Sequence, residues 1–216
     1  MRNIFYFLTV LLFMNACSMK TPPNDWQIQS SVAFNSYTKN FLQGDDAIAK
    51  SDLKRAIAHA KSSADISSLA RIYLGTCALN RSVGIIDTCH DYQIIEDLIN
   101  DSSLKTYYAF LMLHYQDVDI NLLPKPYKSF FKYISLKEYS KAISSIKDAP
   151  ISSQIIAHSL IKEYLNEEEI ENILDKASYY GYKKAVIYWL EYLEKTTTDE
   201  NKKEISRKKI MILTQE

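Results

Sequence analysis

Apolar residues recur along this chain at steps of three and four, the spacing that places them on one face of a helix of 3.6 residues per turn. Ala49, Leu53, Ala56, Ile57 and Ala60 follow it, as do Ile66, Leu69, Ala70, Tyr73, Leu74, Cys77 and Ala78. So do Leu104, Tyr107, Tyr108, Leu111 and Tyr115, and then Tyr127, Phe130, Phe131 and Ile134. Tyr139, Ala142, Ile143 and Ile146 form a further stripe, and Ile170, Ile173, Leu174 and Ala177 another. Four glycines and five prolines in 216 residues are too few for the turns of an all-β protein. Ser135 with Glu138, and Asn166 with Glu169, have the spacing of capping boxes. Glu167, Glu168 and Glu169 suit a first helical turn, where acids oppose the helix dipole favourably. Gly44 and Gly181 stand where a helix has just ended. The expectation is an all-α body of roughly ten to twelve helices, each about ten to eighteen residues, with short connections that favour antiparallel neighbours.

The N-terminus carries a different message. Arg2, the apolar run from Ile4 to Phe13 and the small residue Ala16 have the order of an export signal, and the run is too short for a membrane span. A cysteine follows, so Met14-Asn15-Ala16-Cys17 resembles the lipobox of bacterial lipoproteins. That resemblance implies removal of residues 1–16 and acylation of Cys17, which then anchors the chain in a bilayer. Ser18, rather than an acidic residue, implies by the same resemblance an outer-membrane destination facing the periplasm. Residues 17–25, with Pro22 and Pro23, read as a tether, and 26–216 as one helical domain. An ordinary cleaved secretory signal or an N-terminal anchor helix are the alternatives.

Loss of Arg2 with the signal leaves 25 basic residues (26 less Arg2) against 26 acidic ones. At that balance nucleic acid is not expected as a partner, since binding it needs a basic surface. Apart from Cys17 the cysteines are Cys77 and Cys89, which are expected to pair as a disulfide in an exported, oxidising compartment. Cys77 ends one stripe and Cys89 opens another with Tyr92, Ile95 and Ile99, so the bond would pin a helical hairpin across a turn at 79–87. Two reduced, buried thiols are the alternative. Cys89-His90 also invites a haem reading, but its spacing from Cys77 departs from C-x-x-C-H. His59, His90, His114 and His158 share no i, i+4 face and form no H-E-x-x-H motif, so neither a metal nor another cofactor is expected, and each histidine is read as a surface or partly buried helix residue.

Two segments suggest how the helices are arranged. Lys176-Ala177-Ser178-Tyr179-Tyr180-Gly181-Tyr182-Lys183-Lys184-Ala185 resembles the helix-turn-helix junction of Sel1-like repeats. Ala70-Arg71-Ile72-Tyr73-Leu74-Gly75 resembles the opening helix of a tetratricopeptide or Sel1-like repeat. The resemblance implies antiparallel hairpins stacked as a degenerate array; an irregular helical bundle is the alternative.

Nucleophile elbows, P-loops and dinucleotide fingerprints are absent from the sequence. Glu163 is the one acid with partly sheltering neighbours, and it has no partner carboxylate of the kind a glycan hydrolase needs. The chain is therefore expected not to be an enzyme. Tyr180, Tyr182, Tyr188 and Tyr192 crowd the second half and are expected to contact a protein partner, because tyrosine combines rigid area with a polar tip. The functional expectation is an assembly factor or interaction adaptor for an envelope complex. A peptidoglycan hydrolase or a small-ligand or haem carrier is the alternative.

Overall fold

The computed structural model describes residues 24–215. The signal segment 1–16, Cys17 and most of the tether lie outside the described residues. The fold is all-α, without strands among the described residues, and its helices pack in adjacent pairs. Among the described residues eleven α-helices follow one another: α1 (Asp25–Gln43), α2 (Asp46–Lys61), α3 (Ile66–Ser82), α4 (His90–Gln93), α5 (Ser102–Leu111), α6 (Lys125–Ser135), α7 (Tyr139–Ile146), α8 (Ile151–Leu160), α9 (Glu167–Tyr179), α10 (Lys183–Thr196) and α11 (Glu200–Thr214). Asn24 and Asp25, the only described residues of the expected tether, belong to the start of α1. There the Gln27 side chain accepts the Asn24 amide at 2.9 Å.

Helix starts follow from local chemistry. Asp65, Asp101, Asn166 and Asp199 each accept a first-turn amide through the side chain. Asn166 and Glu169 form the reciprocal box, with both bonds at 2.9 Å. Pro124, Pro126 and Pro150 all stand at or next to a helix start, where a missing amide proton costs nothing.

Five helices end in the same way. The second residue past the helical turn donates back to a carbonyl five residues earlier, as from Asp45 to Asn40, Ile85 to Asn80, His114 to Ala109, Glu138 to Tyr133 and Tyr182 to Ala177. The residue before each donor is left-handed: Gly44, Gly84, Leu113, Lys137 and Gly181. The proposed box at Ser135 is not formed. Ser135 ends α6 and its hydroxyl donates to the Lys132 carbonyl, because Lys137 turns the chain before Glu138 caps α7.

Helical spacing also overreached twice. The α5 stripe stops at Leu111, and Tyr115 lies in a separate 3₁₀ turn, 39 % exposed. Tyr92 and Ile99 are buried as expected, but they sit on one turn of helix and a following 3₁₀ turn rather than on a long helix.

Two large cores, and a smaller one of Ala33, Ala56, Ala60, Leu69 and Ile72 between α1, α2 and α3, hold the pairs together. One spans α3 to α8 around Phe110, Phe130, Phe131 and Tyr127. The other joins Tyr37, Phe41 and Leu42 of α1 to Ile170, Ile173 and Leu174 of α9 and Trp189, Leu190 and Leu193 of α10. The first helix thus meets the tenth, and Lys184 of α10 pairs with Asp46 and lies over the Phe41 ring. α3 likewise meets α8. The helical pairs curl back on one another, which brings sequence-distant faces together. At the α9–α10 junction Ala177 and Ala185 are both fully buried, so the two helices approach closely around Gly181.

The Cys77–Cys89 disulfide is present, with Cα atoms 5.1 Å apart. It pins an irregular return segment onto α3 rather than closing a helix-helix hairpin. The bond closes a short loop, so reduction is expected to lower stability by roughly 2–3 kcal/mol. Far-ultraviolet circular dichroism should stay helical, because ten of the eleven helices need no residue of the loop. A urea midpoint unchanged by a phosphine reductant would refute this.

Candidate functional site

A concavity lies where α1, α3, α5 and α8 converge. A cavity of about 490 Å³ is lined by Phe34, Asn35 and Thr38 of α1, Arg71 and Gly75 of α3, Leu104 and Tyr107 of α5, and Ser152, Ser153 and Ile156 of α8. It continues into a second of about 340 Å³, and Phe34, Asn35 and Arg71 line both. Together they form one groove.

Gly75 makes the groove possible at its floor. A Cβ at that position would come within 2.5 Å of the Phe34 ring, so only glycine lets the ring lie on the backbone of α3. Pro124 starts α6 at the edge of the same space and brings Tyr127 beside Tyr107, ring centroids 5.8 Å apart. Burial pushes both phenols above their ordinary range, so they act there as neutral hydroxyls.

Arg71 is the sole charged side chain lining either cavity among the described residues. It is aimed by Asp101, whose Oδ2 accepts from Nη2 at 2.9 Å. Asp101 is itself fixed as the α5 cap, accepting the Ser103 amide and hydroxyl at 3.0 and 2.6 Å. Those Ser103 hydrogen bonds, with Arg71 adding to them, hold the Asp101 carboxyl below the usual carboxylate range. The remaining lining is apolar or neutral polar: Phe34, Leu104 and Ile156 beside Asn35, Thr38, Ser152 and Ser153, then Gln27, Ser31 and Ser68 along the second cavity. Such a surface accepts apolar side chains while hydrogen-bonding backbone amides; it does not suit a polyanion.

The four tyrosines expected to meet a partner are divided. Tyr180 is 52 % exposed and packs against Tyr179 and Tyr182 at the α9–α10 junction. Tyr182 is half-buried and joins the second core. Tyr188 and Tyr192 flank Lys162, whose Nζ lies 5.7 and 5.5 Å from their ring centroids. The Tyr192 hydroxyl donates to the Lys162 carbonyl at 2.9 Å, and Tyr188 lies against Gly84. These two tyrosines therefore serve as internal joints, whereas Tyr180 remains accessible. Tyr179, which the stripes did not single out, is the most exposed of the group at 86 %.

Glu163 is not sheltered. Its side chain is 73 % exposed, and the apolar Ile161 beside it turns inward instead. Both sulfurs of Cys77 and Cys89 are spent on each other, so the Cys89-His90 pair is not free for thioether attachment to haem. His158 corrects the reading of the histidines as surface or partly buried residues. It is buried on α8, with Nδ1 donating to the Gln154 carbonyl at 2.7 Å, and burial pulls its pKa down to about 4. Gln154, also buried, donates to the Lys147 and Ala149 carbonyls and accepts from Lys176. The i, i+4 spacing of Gln154 and His158 within an apolar helix was the available signal for this polar seam. Asp52 is a further unanticipated buried polar residue. Its carboxyl is held below the usual range by the Arg55 hydrogen bond, with Asn40 assisting at 2.6 Å.

Among the described residues no helix is long and apolar enough to cross a membrane. No family model, curated protein or solved structure matches the chain.

Proposed function

We propose that this chain is a lipid-anchored envelope adaptor, built as a degenerate tetratricopeptide or Sel1-like array. In this reading the α1/α3/α5/α8 groove holds a segment of a partner protein on the periplasmic side of the outer membrane, and acylated Cys17 supplies the anchor. The observation that carries the proposal is the groove itself: two joined cavities, one oriented arginine, and otherwise apolar and neutral hydrogen-bonding walls. Exposed Ile28 and Val32 adjoin Gln27 and Ser31 on α1, which gives the rim an apolar flank suited to a protein surface. The groove is a better contact than the tyrosine group, because it is concave and because Tyr188 and Tyr192 are already engaged within the fold. A hydrolase reading gains nothing from the site, since no carboxylate lines either cavity among the described residues.

The test is site-specific photocrosslinking in intact cells with the full membrane-anchored chain. A photoreactive residue at Ser31, exposed at the second cavity, is expected to capture one dominant envelope protein. The same residue at Lys54, exposed on α2 and away from both cavities, should not capture it. Equal capture at both sites, or at neither, contradicts the proposal. A Cys17→Ala chain should leave the membrane fraction, and its retention there would sink the anchor.

A further inference from the structure

We propose that Cys77, Cys89 and Asp87 form a redox-gated site for a thiophilic divalent cation such as Zn²⁺, closed when the disulfide is oxidised and opened when it is reduced. Both sulfurs and the Asp87 carboxylate lie within 4.8 Å of one another. A tetrahedral zinc ion holds thiolate donors roughly 3.8 Å apart, a distance inside the span of this trio.

The trio is held together by more than the disulfide. Asp87 Oδ1 accepts the Cys89 amide at 2.7 Å, and Oδ2 accepts Asn80 Nδ2 at 2.8 Å. The Asp87 carbonyl accepts Arg81 Nη1 at 3.0 Å. Asn80 and Arg81 belong to α3, one turn beyond Cys77, so these bonds fasten the Asp87–Cys89 segment to the helix that carries the other thiol. Breaking the sulfur-sulfur bond therefore leaves Cys89 facing Cys77. Each carboxylate oxygen uses one lone pair on a fixed donor and keeps another, the arrangement by which neighbours orient a metal-binding carboxylate. Cys77 and Cys89 are 1 % and 2 % exposed, so both sulfurs are shielded from bulk solvent.

The chemistry balances with a small dithiol as reductant. The disulfide takes two electrons and two protons to become two thiols, while the dithiol loses the same and closes to its cyclic disulfide. The cation then forms two metal-sulfur bonds and one metal-oxygen bond, keeps one water as the fourth ligand of the tetrahedron, sheds its other waters and releases the two thiol protons to solvent.

Anaerobic titration of the reduced full chain with Co²⁺ tests this. One equivalent is expected to give thiolate-to-cobalt charge-transfer absorption and the intense visible bands of a tetrahedral ion, both abolished by one equivalent of Zn²⁺. The oxidised protein and the Cys77→Ser/Cys89→Ser chain should show neither. Asp87→Asn should weaken binding at least tenfold. Cys89→Ser, which keeps Cys77 and Asp87, should show about half the charge-transfer intensity and weaker binding, so the test survives if Asp87→Asn fails to fold. Reduced protein that binds no tighter than oxidised protein overturns the proposal, and so does a folded Asp87→Asn chain with unaltered affinity.

Discussion

Trp189→Ala is expected to destabilise the protein by about 3–5 kcal/mol, the cost of emptying a large aromatic site in a packed core. Trp189 is fully buried, and Tyr188, Tyr192 and His158 surround it with ring centroids at 5.2, 5.8 and 6.3 Å. Its cluster includes residues of α1, α2, α3, α8, α9 and α10, so the indole lies where the beginning and end of the fold meet. Trp189→Phe should cost much less. It keeps most of the ring and removes an indole N–H that is buried without an acceptor. Urea denaturation measures both variants. Equal losses for Ala and Phe would show that the indole N–H, rather than its volume, is what the site requires.

Acid is expected to cost about 3 kcal/mol through His158 alone. Burial lowers its pKa from the ordinary 6.5 to about 4 in the folded protein, so between those values the unfolded chain binds a proton that the folded chain refuses. This contribution is complete above pH 6.5 and is lost progressively as pH falls toward 4, because each pH unit across that window is worth about 1.4 kcal/mol. Lys176 is the nearby charge, and it disfavours the imidazolium further. Asp52 and Asp101, held low by their partners, lose their contributions only below the ordinary carboxylate value of 3.8, outside the histidine window. Urea midpoints at pH 7 and 4.5 should therefore fall steeply for the native sequence and much less for His158→Gln. Parallel losses in the two chains would contradict the assignment.

These two residues also mark where the sequence could and could not be read. Trp189 follows Ala185 by four residues, the spacing of a buried helical face. The reciprocal cap at Asn166 and Glu169, the helix ends at Gly44 and Gly181 and the Cys77–Cys89 bond were legible for a similar reason: each depends on residues close in the chain. Leu113 and Lys137 were not, because side chains that carry a Cβ give no warning that the backbone will turn left-handed. Missing Lys137 misplaced the α7 cap by three residues, from Ser135 to Glu138. His158 escaped because its burial comes from α9 packing against α8 and from Trp189 of α10 lying beside its ring; the spacing from Gln154 signals a polar seam but not that it is buried. The groove was hidden most deeply. Phe34, Arg71, Leu104 and Ile156 each look like ordinary residues of separate helices, and only the packing of α3 against α1, α5 and α8 sets them around one space. Gly75 left a trace, a glycine inside a strong helical stripe, which signals that something lies close to the backbone.

The account stands or falls on that groove. Asn35 lines both cavities and is exposed, so Asn35→Trp fills their junction without disturbing a buried contact. The decisive measurement is the affinity of this variant for the envelope protein captured from Ser31, taken beside its urea midpoint. An adaptor that uses the groove loses at least tenfold in affinity, about 1.4 kcal/mol, with the midpoint unchanged. A partner that binds Asn35→Trp as tightly as the native chain would place the contact elsewhere and contradict the account.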